Sequence, residues 1–253
     1  MATNLKAERL ARFMLKKVNK AIYEFGMIED GDRIAVALSG GKDSLSLLYI
    51  LRFRMRFVPE KYSVVAIHVV GDARGSHLPP YLELEEWLRA HEIEYLVRQM
   101  FVPEGEAIPM TCERCTWNRR RTLFEMAREL GCNKVAFGHH LDDLAETALL
   151  NLIYHGRLET MAPCASYFGG MFKLIRPLAY VPEAEIKRFS SLIELPFPPP
   201  PCPRGEQTKR QLMRKLIEEL GKDAHRIREN IVRAALKSEI YEKESLRRAE
   251  DEK

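Results

Sequence analysis

Apolar residues recur along this chain with two alternating periods. Residues 33–38 (RIAVAL) and 62–70 (YSVVAIHVV) are near-continuous aliphatic runs, the pattern of strands covered by helices on both faces. Between them LSLLYIL repeats apolar residues at helical spacing. The alternation continues with a predicted helix over 81–90 and strands over 94–99, 133–138 (NKVAFG) and 171–174, the last running into RPL at 176–178. Strand and helix in turn predict an α/β fold, a doubly wound and mostly parallel sheet.

Helices flank this core in the sequence. Residues 4–25 read as an amphipathic helix with Leu5, Leu10, Phe13, Met14, Val18, Ala21 and Ile22 on one side and Arg9, Arg12, Lys16 and Lys20 on another. A helix is predicted over 118–130, and HHLDDLAETALLNLIYHG (139–156) reads as a loop and a helix. Pro182 opens a short helix over 183–192, and charged helices at 207–220 and 223–239 precede a charged tail. The expected organisation is an N-terminal basic helix (1–30), an α/β domain (31–195), and a proline-rich loop with charged helices (196–253).

Composition narrows the class. A chain of 253 residues with 46% hydrophobic content can build one large domain with a small appendage. A net charge of +4 is mild, so nucleic-acid contact would need local clusters such as the N-terminal basic stripe, for which a solvated helix face is the default explanation. No apolar run reaches a membrane span and the first residues carry no signal-peptide pattern, so the expectation is a cytoplasmic protein without membrane contact. Five cysteines, Cys112, Cys115, Cys132, Cys164 and Cys202, then point to metal or redox chemistry rather than a disulfide framework.

The densest chemistry is SGGKDS, between the 33–38 strand and the helix after it. Gly40 and Gly41 let the backbone turn with positive φ and approach an anion, while Ser39, Ser44 and the first amides of the helix offer donors. Lys42 adds a charge for phosphate oxygens. Asp43 repels a naked anion, so it either shapes the loop or holds Mg2+ between phosphates. The spacing is not that of a Walker loop, which needs a second glycine further upstream.

Other polar residues keep two readings. His68, near the carboxyl end of its strand, can touch a nucleotide or simply pack. Asp142 and Asp143 can cap a helix or help hold Mg2+, and His139 and His140 are structural or substrate-orienting. Cys112 and Cys115, read as lying just before a helix, suit a metal or cluster site, with a thioredoxin-like redox pair as competitor. Arg119, Arg120 and Arg121, placed in the first turn of that helix, oppose its dipole and so imply an anionic partner. Prolines stiffen the backbone around Cys202.

The strand–SGGKDS–helix unit resembles the PP-loop of adenylating pyrophosphatases, which cleave ATP between its α and β phosphates. Taken with C-x-x-C before a basic helix and GHHLDDLAET followed by LIRPLAYVPEAEI, the chain from 5 to 216 resembles the tRNA 2-thiocytidine synthetase group. That resemblance implies ATP and Mg2+ on Ser39, Gly40, Gly41, Lys42, Asp43 and Ser44, with His68, Gly138 and Asp142 also at the nucleotide. It implies a 4Fe-4S cluster on Cys112, Cys115 and Cys202, whose open iron carries the sulfide, and leaves Cys132 and Cys164 as small buried residues. Asp43, Asp143 and Arg119 would act in catalysis.

The implied reaction adenylates C2 of an unpaired cytidine at position 32 of a tRNA anticodon loop and replaces its oxygen by sulfur. A cysteine desulfurase or free sulfide would be the donor, and a homodimer is the implied assembly. The group often has a second C-x-x-C around the third ligand, where this chain has CPRG with one cysteine. Competing readings are a 2-thiouridine-forming thiolase, a PP-loop ligase with structural zinc, and a non-enzymatic redox-sensing module.

Overall fold

The computed structural model describes residues 5–75, 78–79, 81–196 and 209–238. Six strands, β1 (Arg33–Leu38), β2 (Ser63–Val70), β3 (Tyr95–Gln99), β4 (Lys134–Ala136), β5 (Cys164–Tyr167) and β6 (Phe172–Ile175), form one sheet in the order β3-β2-β1-β4-β6-β5. All neighbours are parallel except β5, which runs antiparallel to β6. From β1 the chain winds outward through β2 and β3, then returns to the other side of β1 for β4 and β6. The winding therefore reverses between β1 and β4, and the carboxyl ends of these two strands flank the crevice where such sheets bind ligands.

Alternation along β1 builds two cores. Ile34, Val36 and Leu38 join one cluster with α1 (Leu5–Glu24), α2 (Lys42–Arg54), α3 (Leu82–Ala90) and α6 (Glu183–Ser190). Ala35 and Ala37 join the other with α4 (Cys112–Glu129). Helix α2 is buried nearly all round, which explains its lack of a polar stripe.

The chain forms two compact units. The first combines Met1–Gly138 and Pro163–Gly205 and holds the whole sheet. The second combines His139–Ala162 and Glu206–Lys253, and contains α5 (Leu141–His155), α7 (Lys209–Leu220) and a further helix, α8, over 227–238.

The structure departs from the sequence reading at three elements. Helix α4 starts at Cys112, six residues before the expected 118, because Thr111 caps it by accepting the Arg114 amide at 3.2 Å. Arg119, Arg120 and Arg121 therefore lie about two turns inside the helix, and the dipole argument for an anionic partner does not apply to them. Strand β5 was not expected; it pairs with β6 as the edge of the sheet through a short 3-10 turn with φ of +66° at Gly169 and +93° at Gly170. On α1 the buried stripe is Ala7, Ala11, Met14, Leu15, Val18, Ala21 and Ile22, and the small alanines rotate the helix so that Leu5 and Phe13 face solvent.

Candidate functional site

The phosphate loop is shaped by its own serines. The Ser39 amide donates to Ser44 Oγ at 3.2 Å, the Gly41 amide donates to Ser39 Oγ at 3.2 Å, and Ser44 Oγ donates to the Gly41 carbonyl at 3.1 Å. Gly40 has a φ of +83°, a conformation that glycine adopts without strain. Gly41 is the N-cap of α2 in extended geometry, so the helix opens directly behind the loop. Gly138, just after β4, approaches this helix start closely: a Cβ there would lie 2.9 Å from the Ser44 amide nitrogen and 3.0 Å from the Asp43 carbonyl carbon.

Lys42 sits between two carboxylates, with Nζ 3.0 Å from Asp43 Oδ1 and 2.9 Å from Glu183 Oε1. Burial lowers the Lys42 pKa, but the bonds to Glu183 and Asp43 outweigh it and hold the ammonium above its usual range. Burial likewise opposes ionisation of Glu183, yet Lys42 and Lys187 pull its carboxyl down to about 2. His68 is buried with Nδ1 2.9 Å from the Leu38 carbonyl, a bond that a protonated Nδ1 donates. Burial, aided by the Arg119 charge, lowers its pKa and keeps the ring neutral.

Cys112 and Cys115 occupy the first turn of α4, the former exposed and the latter half-buried, and neither is in a disulfide. Two thiols three residues apart in the first turn share one side of the helix. Cys132 is different: burial pushes its thiol up to about 11, and Cys164 on β5 is raised for the same reason. Both are poor thiolate ligands. Cys202 lies outside the described residues. Arg119 donates to the Gly71 carbonyl, and Arg121 lies 4.1 Å from the Phe101 ring centroid while bonding Glu125 at 2.9 Å.

In the second unit, the head of α5 is paired with cations. Asp143 Oδ2 accepts the His140 amide at 3.0 Å, the capping alternative of the sequence reading, and its Oδ1 lies 3.7 Å from Arg210. Asp142 pairs with Arg228. Arg210 also donates to Thr147 Oγ1 at 2.9 Å, and Arg214 donates to Glu146 Oε1 at 2.7 Å. Glu146 is 1% exposed; burial raises its pKa against the pull of Arg214. Every polar side chain from 142 to 147 in the GHHLDDLAET signature thus meets an arginine from α7 or α8. Among the described residues no group of three metal-ligating side chains gathers.

The sequence reading did not single out Glu183, which looks like an ordinary first-turn acid until its distance to Lys42 is known. Nor did it find the arginine partners of α5, whose only signal was a basic excess in α7.

A family model described as a PP-loop domain matches residues 10–220. A tRNA-cytidine(32) 2-sulfurtransferase of Syntrophotalea carbinolica is 38% identical over 237 residues, covering 90% of this chain and 89% of its own. The enzyme of the same name from Ectopseudomonas mendocina is 39% identical over 218 residues, 83% of this chain and 78% of its own. The solved U34-tRNA thiolase NcsA of Methanococcus maripaludis, with its 4Fe-4S cluster, shares the fold at a TM-score of 0.69 and 23% identity, covering 90% of this chain and 79% of its own. With a family model matched over residues 10–220 and relatives 38% and 39% identical over most of its length, the chain belongs to the PP-loop family and, within it, to the tRNA-cytidine(32) 2-sulfurtransferase group.

Proposed function

We propose that this chain is an ATP-dependent tRNA sulfurtransferase that adenylates the C2 oxygen of cytidine 32 in an anticodon loop, releases pyrophosphate, and exchanges the resulting AMP leaving group for sulfur. The observation that carries this reading is 38% identity over nearly the full chain to a tRNA-cytidine(32) 2-sulfurtransferase. The serine-ordered SGGKDS loop at the β1–β4 crevice supplies the chemistry such an enzyme needs.

Ser39, Gly40, Gly41 and Ser44 would cradle the phosphates and Lys42 would neutralise their charge. Gly138 leaves room for the loop, and His68, bonded to the last carbonyl of β1, fixes the strand end beside it. Asp43 fits a Mg2+ ion, which takes one or two carboxylates together with phosphate oxygens. Asp142 and Asp143, also expected at Mg2+, are paired instead with Arg228 and Arg210. A 4Fe-4S cluster fits the two thiols on the first turn of α4, with Cys202 as third ligand, and would supply the sulfur for C2 when bound. Arg119, held on the Gly71 carbonyl, would steady the charge that develops on the adenylated base.

The base must be unpaired to be reached, as in an anticodon loop. The tRNA is expected on the solvent face of α1, where Lys6, Arg9, Arg12, Lys16 and Lys20 are exposed beside Phe13 and no exposed acid occurs before Glu24. A cysteine desulfurase or free sulfide would renew the sulfur. In a reconstitution with ATP, Mg2+, sulfide and tRNA, mass analysis should find 2-thiocytidine, with AMP and pyrophosphate as co-products. Thiouridine would move the target to another base, and stoichiometric zinc without iron after anaerobic purification would overturn the reading.

A further inference from the structure

We propose that Glu183 is a built-in counterion for Lys42, an internal stand-in for phosphate that the nucleotide must displace, and that Lys187 takes Glu183 over when it does. The proposal rests on the ATP-binding reading above.

The geometry is a chain of four charges. Asp43 and Glu183 Oε1 both lie within 3.0 Å of Lys42 Nζ, while Glu183 Oε2 lies 3.1 Å from Lys187, one turn further along α6. Glu183 is the least exposed member at 14% of its side chain, against 31% for Lys42 and 59% for Lys187. The loop lysine therefore already holds two carboxylates, and an arriving phosphate competes with Glu183 for its ammonium.

An ion pair that solvent reaches adds only modestly to stability. The pairing instead places a carboxylate oxygen where a phosphate oxygen would bond the same ammonium. When Lys42 turns to phosphate, Glu183 would be left charged beside a polyanion, and Lys187 is the cation already seated on its other oxygen. Glu183 would then weaken nucleotide binding, and Lys187 would moderate that effect.

The two residues thus carry opposite expectations. Calorimetric titration of the full chain with inorganic pyrophosphate, and with α,β-methylene ATP and Mg2+, should show Glu183→Gln binding about threefold more tightly than wild type, the scale of a partly exposed pair. Lys187→Gln should bind about twofold more weakly, and its effect should vanish in the Glu183→Gln background, as expected for a coupled pair. Lys187 is exposed, so its substitution reports even if Glu183→Gln fails to fold. Weaker or unchanged binding by Glu183→Gln, or the same loss from Lys187→Gln in both backgrounds, would overturn the inference alone. A wild-type chain that binds neither ligand would overturn the ATP reading with it.

Discussion

Helices α2 and α5 begin alike and use their acids differently. Each follows a parallel strand of the sheet, and each opens with aspartate in its first turn. At α2 the single Asp43 shares Lys42 with Glu183, and the turn before it is built from glycine and serine donors. At α5 Asp143 accepts the amide of its own N-cap, and Asp142, Asp143 and Glu146 face Arg228, Arg210 and Arg214. A carboxylate at a helix start is favourable against the dipole in both cases. The acids differ in the cation they meet, and the partners are far apart in the chain, with 141 residues between Lys42 and Glu183 and 86 between Asp142 and Arg228.

The sharpest way to break this contrast is at Glu146. Glu146→Ala removes a 1% exposed carboxylate from Arg214 and should cost about 2 kcal/mol of unfolding free energy, read by urea denaturation. A loss below about 0.5 kcal/mol would mean that the arginine pairing does not hold α5. Next, Gly138→Ala places a methyl group 2.9 Å from the Ser44 amide and forces the loop to shift. An overpacking cost of about 1–3 kcal/mol should appear as roughly tenfold weaker ATP-analogue binding in titration.

Paired substitutions at the two helix starts sharpen the contrast. Asp143→Ala should lower stability by about 1 kcal/mol through loss of its cap. Asp43→Asn should leave stability within about 0.5 kcal/mol and reduce Mg2+-dependent nucleotide affinity instead. The exposed cations of α1 should act on RNA. Reversing Arg12 and Lys16 to Glu should flatten the log–log salt dependence of tRNA affinity by about 1.5, from two lost phosphate contacts.

The smallest effect concerns His68. Its pKa is lowered by burial, so as pH falls the unfolded chain takes its proton first. Wild-type stability should decline as pH drops below about 6.5, the unfolded value, and level off below the depressed folded pKa. In His68→Asn that part of the pH profile should flatten, checked by unfolding midpoints across pH 7 to 5.

Strands β1 and β2, with the helix between them, were legible because continuous apolar runs and a glycine-serine turn are local signals. The start of α4 was misplaced because TCERCTWNRRR is polar throughout; only Thr111 as N-cap marks where it begins. Strand β5 was missed because CASYFGG carries little aliphatic content, and its place comes from pairing with β6 rather than from its own residues. The phosphate loop and the two α4 cysteines were readable as motifs. Glu183 and the arginines of α7 and α8 were not, since their meaning lies in long-range distances that no spacing encodes.

The two outer strands also bear on how copies of this chain can meet. The sheet ends at one side in β3, five residues long with Arg98 tied to Glu129, and at the other in β5, four residues long. A second copy adding itself edge to edge would gain only a ladder of that length. Short edges resist such templating. Self-association by sheet extension, the route that leads to fibrous aggregates, is therefore weakly supported along β3 and β5.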